Sequence, residues 1–369
     1  MKFAIDLLWV NHNKIGGVES YVRNLLDGFL TVDVEYQVYL ITSIDNYDSF
    51  AHYGNDPRFQ VIKCNSKSTT ISSIAWINLH LDKLISSLGV DFCFVPNSRM
   101  PFFTSNKNRY VCTIHDLQAL HFPEYFTKLR VWYLKMNWKN LVKSSYRLIV
   151  ISEFVKSDVL KRFGINESKL KVIYNPISSL QDIGDFDAIS KKFGIEKDNY
   201  FYTISSLLQH KNTLTLLRMM NKLVNERRVI SKKLLISGIK GDHFNYLSDY
   251  VKNHGLIDYC IFTGFVSDSE RNSLMKNAEY FLFPSIFEGF GMPVVEALRL
   301  GTKVITTRCA SIEEVSKGKA FYVDNPFDVE ELINMIDINQ SVVQSQVPFK
   351  EYDVTEISRQ YLDFFNSIS

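Results

Sequence analysis

A chain of 369 residues is longer than one hydrophobic core usually serves, and its 46% hydrophobic content can fill two. A net charge of +2 with 14% aromatic residues excludes both a disordered chain and a generally basic nucleic-acid binder. Cys64, Cys93, Cys112, Cys260 and Cys309 show no C-x-x-C spacing, and their odd number fits reduced thiols in a reducing cytoplasm.

The opening MKFAIDLLWVNHNK has an apolar run that Asp6 interrupts and no small-residue cleavage site, so it reads as a first strand. No apolar stretch approaches the length of a membrane span. Short β-rich runs then alternate with helical patterns, as a doubly wound parallel sheet requires. Strands are predicted at Phe3 to Val10, Tyr36 to Thr42, Phe59 to Lys63, Asp91 to Pro96, Tyr110 to Ile114, Arg147 to Ile151 and Lys171 to Tyr174. Helices are predicted from Gly17 to Leu30, within Ile74 to Leu88, across Thr127 to Ser145 and from Glu153 to Phe163.

Three features of this half point to chemistry. Asn11 to Ile15 leads to Gly16-Gly17-Val18-Glu19, whose paired glycines let backbone N–H groups approach an anion at a helix start; the order lacks G-x-G-x-x-G and is not an ordinary dinucleotide site. His115-Asp116 follows a strand at its carboxyl end, where open α/β sheets place ligands. A neutral His115 there can hydrogen-bond a sugar hydroxyl, while Asp116 either orients it or caps local backbone. From Lys128 to Leu148 there are six basic residues and no acidic one. Lys128, Lys135, Lys139, Lys143 and Arg147 share a helical face with Trp132 and Met136, and Val131, Leu134, Trp138 and Leu141 form another. That pattern suits either an anionic membrane surface or a solvated basic face.

Ile177 to Ala188 is less patterned and suits a linker, and its Asp185-Phe186-Asp187 reads as solvated charge, not a metal motif. The alternation then restarts, with strands predicted at Tyr200 to Ser205, Lys233 to Ser237, Cys260 to Phe262, Tyr280 to Phe283, Lys303 to Thr306 and Ala320 to Val323. In Tyr280 to Leu300, a buried strand gives way to Gly289 and Gly291, which permit turns a β-carbon would obstruct, and then to Pro293 in the first turn of a helix. Glu288 precedes the turn and can face a sugar. Glu296 lies inside the helix and can accept hydrogen bonds from the vicinal hydroxyls of a ribose. Val354 to Ile368 carries Ile357, Tyr361, Phe364 and Phe365 at helical spacing.

The run P-S-I-F-E-G-F-G-M-P-V-V-E-A-L-R-L-G resembles the E-x7-E signature of the retaining glycosyltransferases of family 4. Gly16-Gly17-Val18-Glu19 is similar to that family's G-G-x-E loop, His115-Asp116-Leu117 to its histidine loop beside the donor sugar, and Ile261 to Asp268 to its base-side loop. Ser205 to Asn212 resembles G-x-L-x-x-R-K-N, with Ser205 in place of glycine, Ser206 in place of an arginine and His210 in place of the arginine before Lys211.

The resemblance implies an α/β GT-B fold: two Rossmann-like doubly wound parallel-sheet domains facing a central cleft. Residues 1–178 would bind the acceptor, residues 189–350 the nucleotide sugar, and a helix over 351–369 would cross back to the first domain. Glu288, His115 and Lys211 are the implied catalytic residues. The implied donor contacts are Gly16, Gly17, Ser206, Lys211, Gly264, Phe265, Val266, Gly289, Phe290, Gly291, Met292, Pro293, Val294 and Glu296. The implied reaction moves a hexose, mannose from GDP-mannose being favoured by the H-D-L loop, to a glycan or polyprenyl-linked acceptor of the O-antigen or capsule kind. It retains anomeric configuration and needs no metal or other cofactor. The setting is cytoplasmic, with peripheral contact to an anionic membrane and no nucleic-acid partner. A non-catalytic nucleotide-sugar-binding subunit and a GT-B nucleotide-sugar epimerase stay open as alternatives.

Overall fold

The computed structural model describes residues 1–11, 16–104, 110–206, 209–226, 232–238 and 242–369. Among them, thirteen strands form two all-parallel sheets in two units, one made of Met1–Ser178 with Lys350–Ser369 and one of Ser179–Phe349.

The first sheet comprises β1 (Lys2–Asp6), β2 (Gln37–Thr42), β3 (Phe59–Lys63), β4 (Phe92–Val95), β5 (Tyr110–Ile114), β6 (Arg147–Val150) and β7 (Leu170–Val172), in the order β3-β2-β1-β4-β5-β6-β7. Helices cover a parallel sheet on both faces, so its strands read as nearly continuous apolar runs, and β4 and β5 are buried throughout. The winding direction reverses between β1 and β4, which puts the switch point of the sheet at their carboxyl ends.

Strand β1 stops at Asp6, four residues short of the expected end. The Asp6 carboxylate accepts from Leu8 N at 3.0 Å, and Val10 N turns back onto Leu7 O at 3.1 Å. Asn46, after β2, then fixes the turn by donating from Nδ2 to Leu7 O and Val10 O, each at 2.8 Å.

The helix Val354–Ile368 belongs to this first unit. Its Ile357, Tyr361, Leu362 and Phe365 are all fully buried there. The Phe365 ring lies 5.2 Å from Phe3, 4.9 Å from Phe92 and 5.2 Å from Phe94. Against it runs the Gly17–Thr31 helix, and at Gly28 a β-carbon would collide with Ser358 Oγ and stand 2.7 Å from Val354. Tyr361 OH meets Tyr21 OH at 2.6 Å in the middle of this contact.

In the second unit, β8 (Tyr200–Ile204), β9 (Lys233–Ser237), β10 (Cys260–Gly264), β11 (Tyr280–Phe283), β12 (Val304–Thr307) and β13 (Phe321–Val323) take the order β10-β9-β8-β11-β12-β13. Here the switch point falls between β8 and β11. The segment read as a linker is partly structured. Gly184 N donates to Ser269 O at 3.0 Å, and a helix starts at Phe186 because Asp185 caps it, accepting from Asp187 N at 3.0 Å. Asp185-Phe186-Asp187 is thus a helix start, with both carboxylates exposed as solvated charge.

Candidate functional site

Glu288 and Lys211 meet at the switch point of the second sheet, one following β11 and the other following β8. Lys211 Nζ lies 2.7 Å from Glu288 Oε1 and 4.7 Å above the Phe283 ring. Ser285 Oγ donates to the same Oε1 at 2.7 Å. Glu288 Oε2 accepts no hydrogen bond among the described residues, so this mostly buried carboxylate is held by one oxygen and offers the other. His210 Nε2 stands 3.9 Å from Oε1. Burial pushes that imidazole down to about 4, with Glu288 opposing, so it is neutral near pH 7 and adds no second cation.

Neighbouring loops hold the glutamate's backbone in place. Ser311 Oγ donates to Glu288 O at 2.9 Å, Thr307 Oγ1 and Cys309 Sγ both reach Ser285 O, and Ile286 N donates to His210 O at 2.9 Å. The Cys309 thiol, pushed up to about 12 chiefly by burial, is inert here. Asn212, in the left-handed region at φ +54°, ties the Lys211 turn to Pro284 O and Pro326 O through Nδ2. Ser205 Oγ bonds Thr213 Oγ1 in the same turn. Ser206 is half-buried beside it, and Leu207 and Leu208 lie outside the described residues.

Gly291 caps the following helix, Met292–Leu300, at φ +92°, a conformation that requires glycine. Gly289 and Phe290, both buried, complete the turn. Val294 is wholly buried, and its N–H already donates to Gly291 O at 3.0 Å, so neither its side chain nor its amide is open to a ligand. Pro293 has no N–H, which leaves Met292 as the donor of this helix start.

Glu296, one turn further on, accepts no hydrogen bond among the described residues, and the nearest cation is Arg271 Nη2 at 3.9 Å. Sequence reasoning passed over Arg271, because an arginine in a helix shows no sign of its partner two elements away. Gly264, at φ +71°, turns the chain at the end of β10; Val266 is half-buried and Phe265 is 65% exposed.

In the first unit, His115 follows β5 at the carboxyl end of the sheet. Its Nε2 sits 2.7 Å from Pro96 O, and its ring stands edge-on to Tyr21 with centroids 4.8 Å apart. A carbonyl can only accept, so Nε2 carries the proton and Nδ1 keeps a lone pair. The residue is half-buried, and burial lowers its pKa to about 4 against the Pro96 bond, keeping it neutral. Asp116 takes the capping role, accepting from Gln118 N at 2.9 Å. The Gly17–Thr31 helix begins after Gly16 in extended backbone, and the first-turn N–H groups of Gly17 and Val18 are those a helix start leaves unpaired. Glu19 of this loop is buried on Arg23, at 2.9 Å. His12 to Ile15, the approach to it, lies outside the described residues.

Asp6 closes the list of groups missed from sequence. It is fully buried at the end of β1, its Oδ2 has no partner among the described residues, and burial pushes the carboxyl up to about 7 despite Leu8 N and Arg99. The basic helix is also corrected. It spans Lys128–Ser144, so Arg147 lies on β6 with its guanidinium over Tyr146 and not on the helix face. Lys128, Lys135, Lys139 and Lys143 are exposed with Leu129, Met136 and Trp132, the last 61% exposed, while Val131, Trp138 and Leu141 are buried.

Comparisons with known proteins cover both units. The "Glycosyltransferase Family 4" model matches residues 15–179 and the "Glycosyl transferases group 1" model matches residues 185–338. The chain is 32% identical over 218 residues to the O-antigen chain mannosyltransferase RfbU of Salmonella typhimurium, covering 58% of this chain and 56% of that protein. It is 27% identical over 242 residues to O-antigen chain mannosyltransferase B of Escherichia coli, covering 64% and 61%. The chain thus spans little more than half the length of these relatives. Among solved structures, HepE of Anabaena in complex with UDP and glucose superimposes over 100% of both chains with a TM-score of 0.71 at 16% identity, a likeness of fold. With matching models over both sheets and this fold, the chain belongs to the GT-B glycosyltransferases of groups 1 and 4.

Proposed function

We propose that the protein is a retaining hexosyltransferase that moves a sugar, mannose in the favoured case, from a nucleotide diphosphate sugar to a glycan or lipid-linked acceptor in O-antigen or similar polysaccharide assembly. The observation that carries this is Glu288: a carboxylate at the switch point, fixed through Oε1 by Lys211 and Ser285, with Oε2 accepting no hydrogen bond among the described residues. Such a group binds donor-sugar hydroxyls and faces the positive charge that grows at the anomeric carbon.

The slow event is departure of the nucleoside diphosphate. Lys211 and the Met292 N–H supply positive potential for it, and the reading assigns no metal. As the bond from the anomeric carbon to the diphosphate oxygen breaks, the acceptor oxygen bonds to that carbon on the same face, and its proton passes to the departing phosphate oxygen. No enzyme nucleophile is required. Neutral His115, with Nδ1 as acceptor, suits a sugar hydroxyl. Mannose is favoured because both relatives above are named as O-antigen mannosyltransferases, while the UDP bound by HepE keeps a uracil donor in the test. The Lys128–Ser144 helix, basic and aromatic on its exposed side, fits peripheral contact with the anionic inner face of a cytoplasmic membrane.

Thermal unfolding against GDP-mannose, UDP-glucose, UDP-N-acetylglucosamine and dTDP-rhamnose tests the donor assignment, since a ligand of the native state raises the midpoint. One donor is expected to raise it, and the same donor should release its nucleoside diphosphate when acceptor is added. Binding without release or transfer under any acceptor would support a sugar-nucleotide-binding subunit instead.

A further inference from the structure

Glu296 is a mostly buried carboxylate that accepts no hydrogen bond among the described residues and has a cation close by that does not hydrogen-bond to it. Arg271, from the helix Asp268–Lys276, puts Nη2 at 3.9 Å from Glu296 Oε1, near enough for attraction and too far for a hydrogen bond. Its own donors are fixed elsewhere. Nη1 lies 2.9 Å from Asp268 Oδ1 and Nη2 donates to Asn272 Oδ1 at 3.2 Å, while Nε is buried with no partner among the described residues. Tyr202, close enough to feel both charges, is fully buried and donates to Ser237 Oγ at 3.0 Å.

The physical consequence follows from two requirements. A carboxylate withdrawn from water is favoured by a cation nearby, and a cis-diol needs two acceptor oxygens that no protein donor already occupies. An arginine hydrogen-bonded to Glu296 would meet the first need and defeat the second. An arginine anchored by Asp268 and Asn272 and held back by about an ångström meets both.

We propose that Arg271 is a positioning residue for ribose recognition: held off by Asp268 and Asn272, it sets positive charge beside Glu296 while leaving both carboxylate oxygens for the 2′- and 3′-hydroxyls of the donor nucleoside. This rests on the donor function proposed above and extends it to a residue that touches no substrate. It makes the protein a reader of ribose against deoxyribose, with Arg271 setting the contrast.

Direct binding by calorimetry of GDP and 2′-deoxy-GDP, and of UDP and 2′-deoxy-UDP, tests it on the whole chain. Wild type is expected to prefer the ribonucleotide of the accepted base by about tenfold or more, the scale of one charge-assisted hydrogen bond. Arg271→Leu should bring the ribonucleotide down to within about twofold of the deoxy form and leave the deoxy form unchanged. Arg271→Lys, which keeps the charge and serves where the leucine variant fails to fold, should restore part of the preference. A preserved preference in Arg271→Leu, or equal weakening of both nucleotides, would overturn the proposal, the second result being what a merely structural ion pair predicts. Glu296→Gln separates the two ideas. If it abolishes the preference while Arg271→Leu does not, the positioning role alone fails; if it leaves the preference intact, the assignment of ribose to Glu296 fails and the proposal with it.

Discussion

At the Glu288 carboxylate one oxygen is held by Lys211 and Ser285 and the other accepts no hydrogen bond among the described residues, and substitution tests what the charge does. Glu288→Gln keeps the volume and one oxygen but removes the charge that pairs with Lys211. Turnover is expected to fall about 100-fold or more while the unfolding midpoint moves little, measured by nucleoside diphosphate release and by calorimetry on one preparation. This residue was legible because its glycines and proline bracket it in the chain. Its partners were legible only in part: Lys211 stood out as a cation in a turn, whereas the neutrality of His210 and the gap between Arg271 and Glu296 depend on burial and on elements far apart in sequence. Asp6 was legible as a break in a strand and not as a titrating group. Its carboxyl binds a proton more tightly when folded than when unfolded, so its contribution is fully present below pH 4 and is lost as pH rises through about 7. Asp6→Asn, which imitates the protonated form, should therefore gain stability relative to wild type between pH 5 and pH 8, by an amount on the order of a few kcal/mol, read from denaturant unfolding at each pH.

Among the elements, the strands were the most legible part of the chain, since a strand buried on both faces has to be written in apolar residues. What sequence misplaced were the close of β1, decided by the distant Asn46, and the helix start at Asp185, whose cap is local but sits in a stretch with little apolar pattern. Two glycines carry predictions at this scale. Gly28→Ala drives a methyl group into Ser358 and Val354, which cannot both yield without lifting the Val354–Ile368 helix from the first unit. A loss of about 2 kcal/mol or more is expected by denaturant unfolding, with greater sensitivity to proteolysis near residue 350. Gly291→Ala meets no steric obstacle closer than 3.6 Å but must adopt φ +92°. Its cost of roughly 1–2 kcal/mol should be accompanied by a loss of donor binding larger than any change in the unfolding midpoint, because the strain falls on the turn that carries Glu288 and Met292.

For the molecule as a whole, a net charge of +2 conceals a local concentration of cations, which total charge could not reveal and the helical pattern could. Vesicles containing phosphatidylglycerol should co-sediment with the protein and release it as salt rises, and phosphatidylcholine vesicles should not. Trp132→Asp with Lys135→Glu and Lys139→Glu should abolish binding without altering donor release to a soluble acceptor. Transfer is also expected to withstand a chelator, measured with and without EDTA at equal ionic strength. Among the described residues no group of three or more histidine, cysteine or carboxylate side chains is placed to hold a metal ion.

The Val354–Ile368 helix has a consequence for synthesis. A ribosome makes β1 to β7 first, yet the rings of Phe3, Phe92 and Phe94 are covered by Phe365, which leaves the exit tunnel only after all of Ser179–Phe349 has been made. For that whole interval the nascent first sheet carries an uncovered aromatic face. The N-terminal unit therefore begins folding first and finishes last, and nascent chains stalled before residue 350 should be the species most avidly held by chaperones.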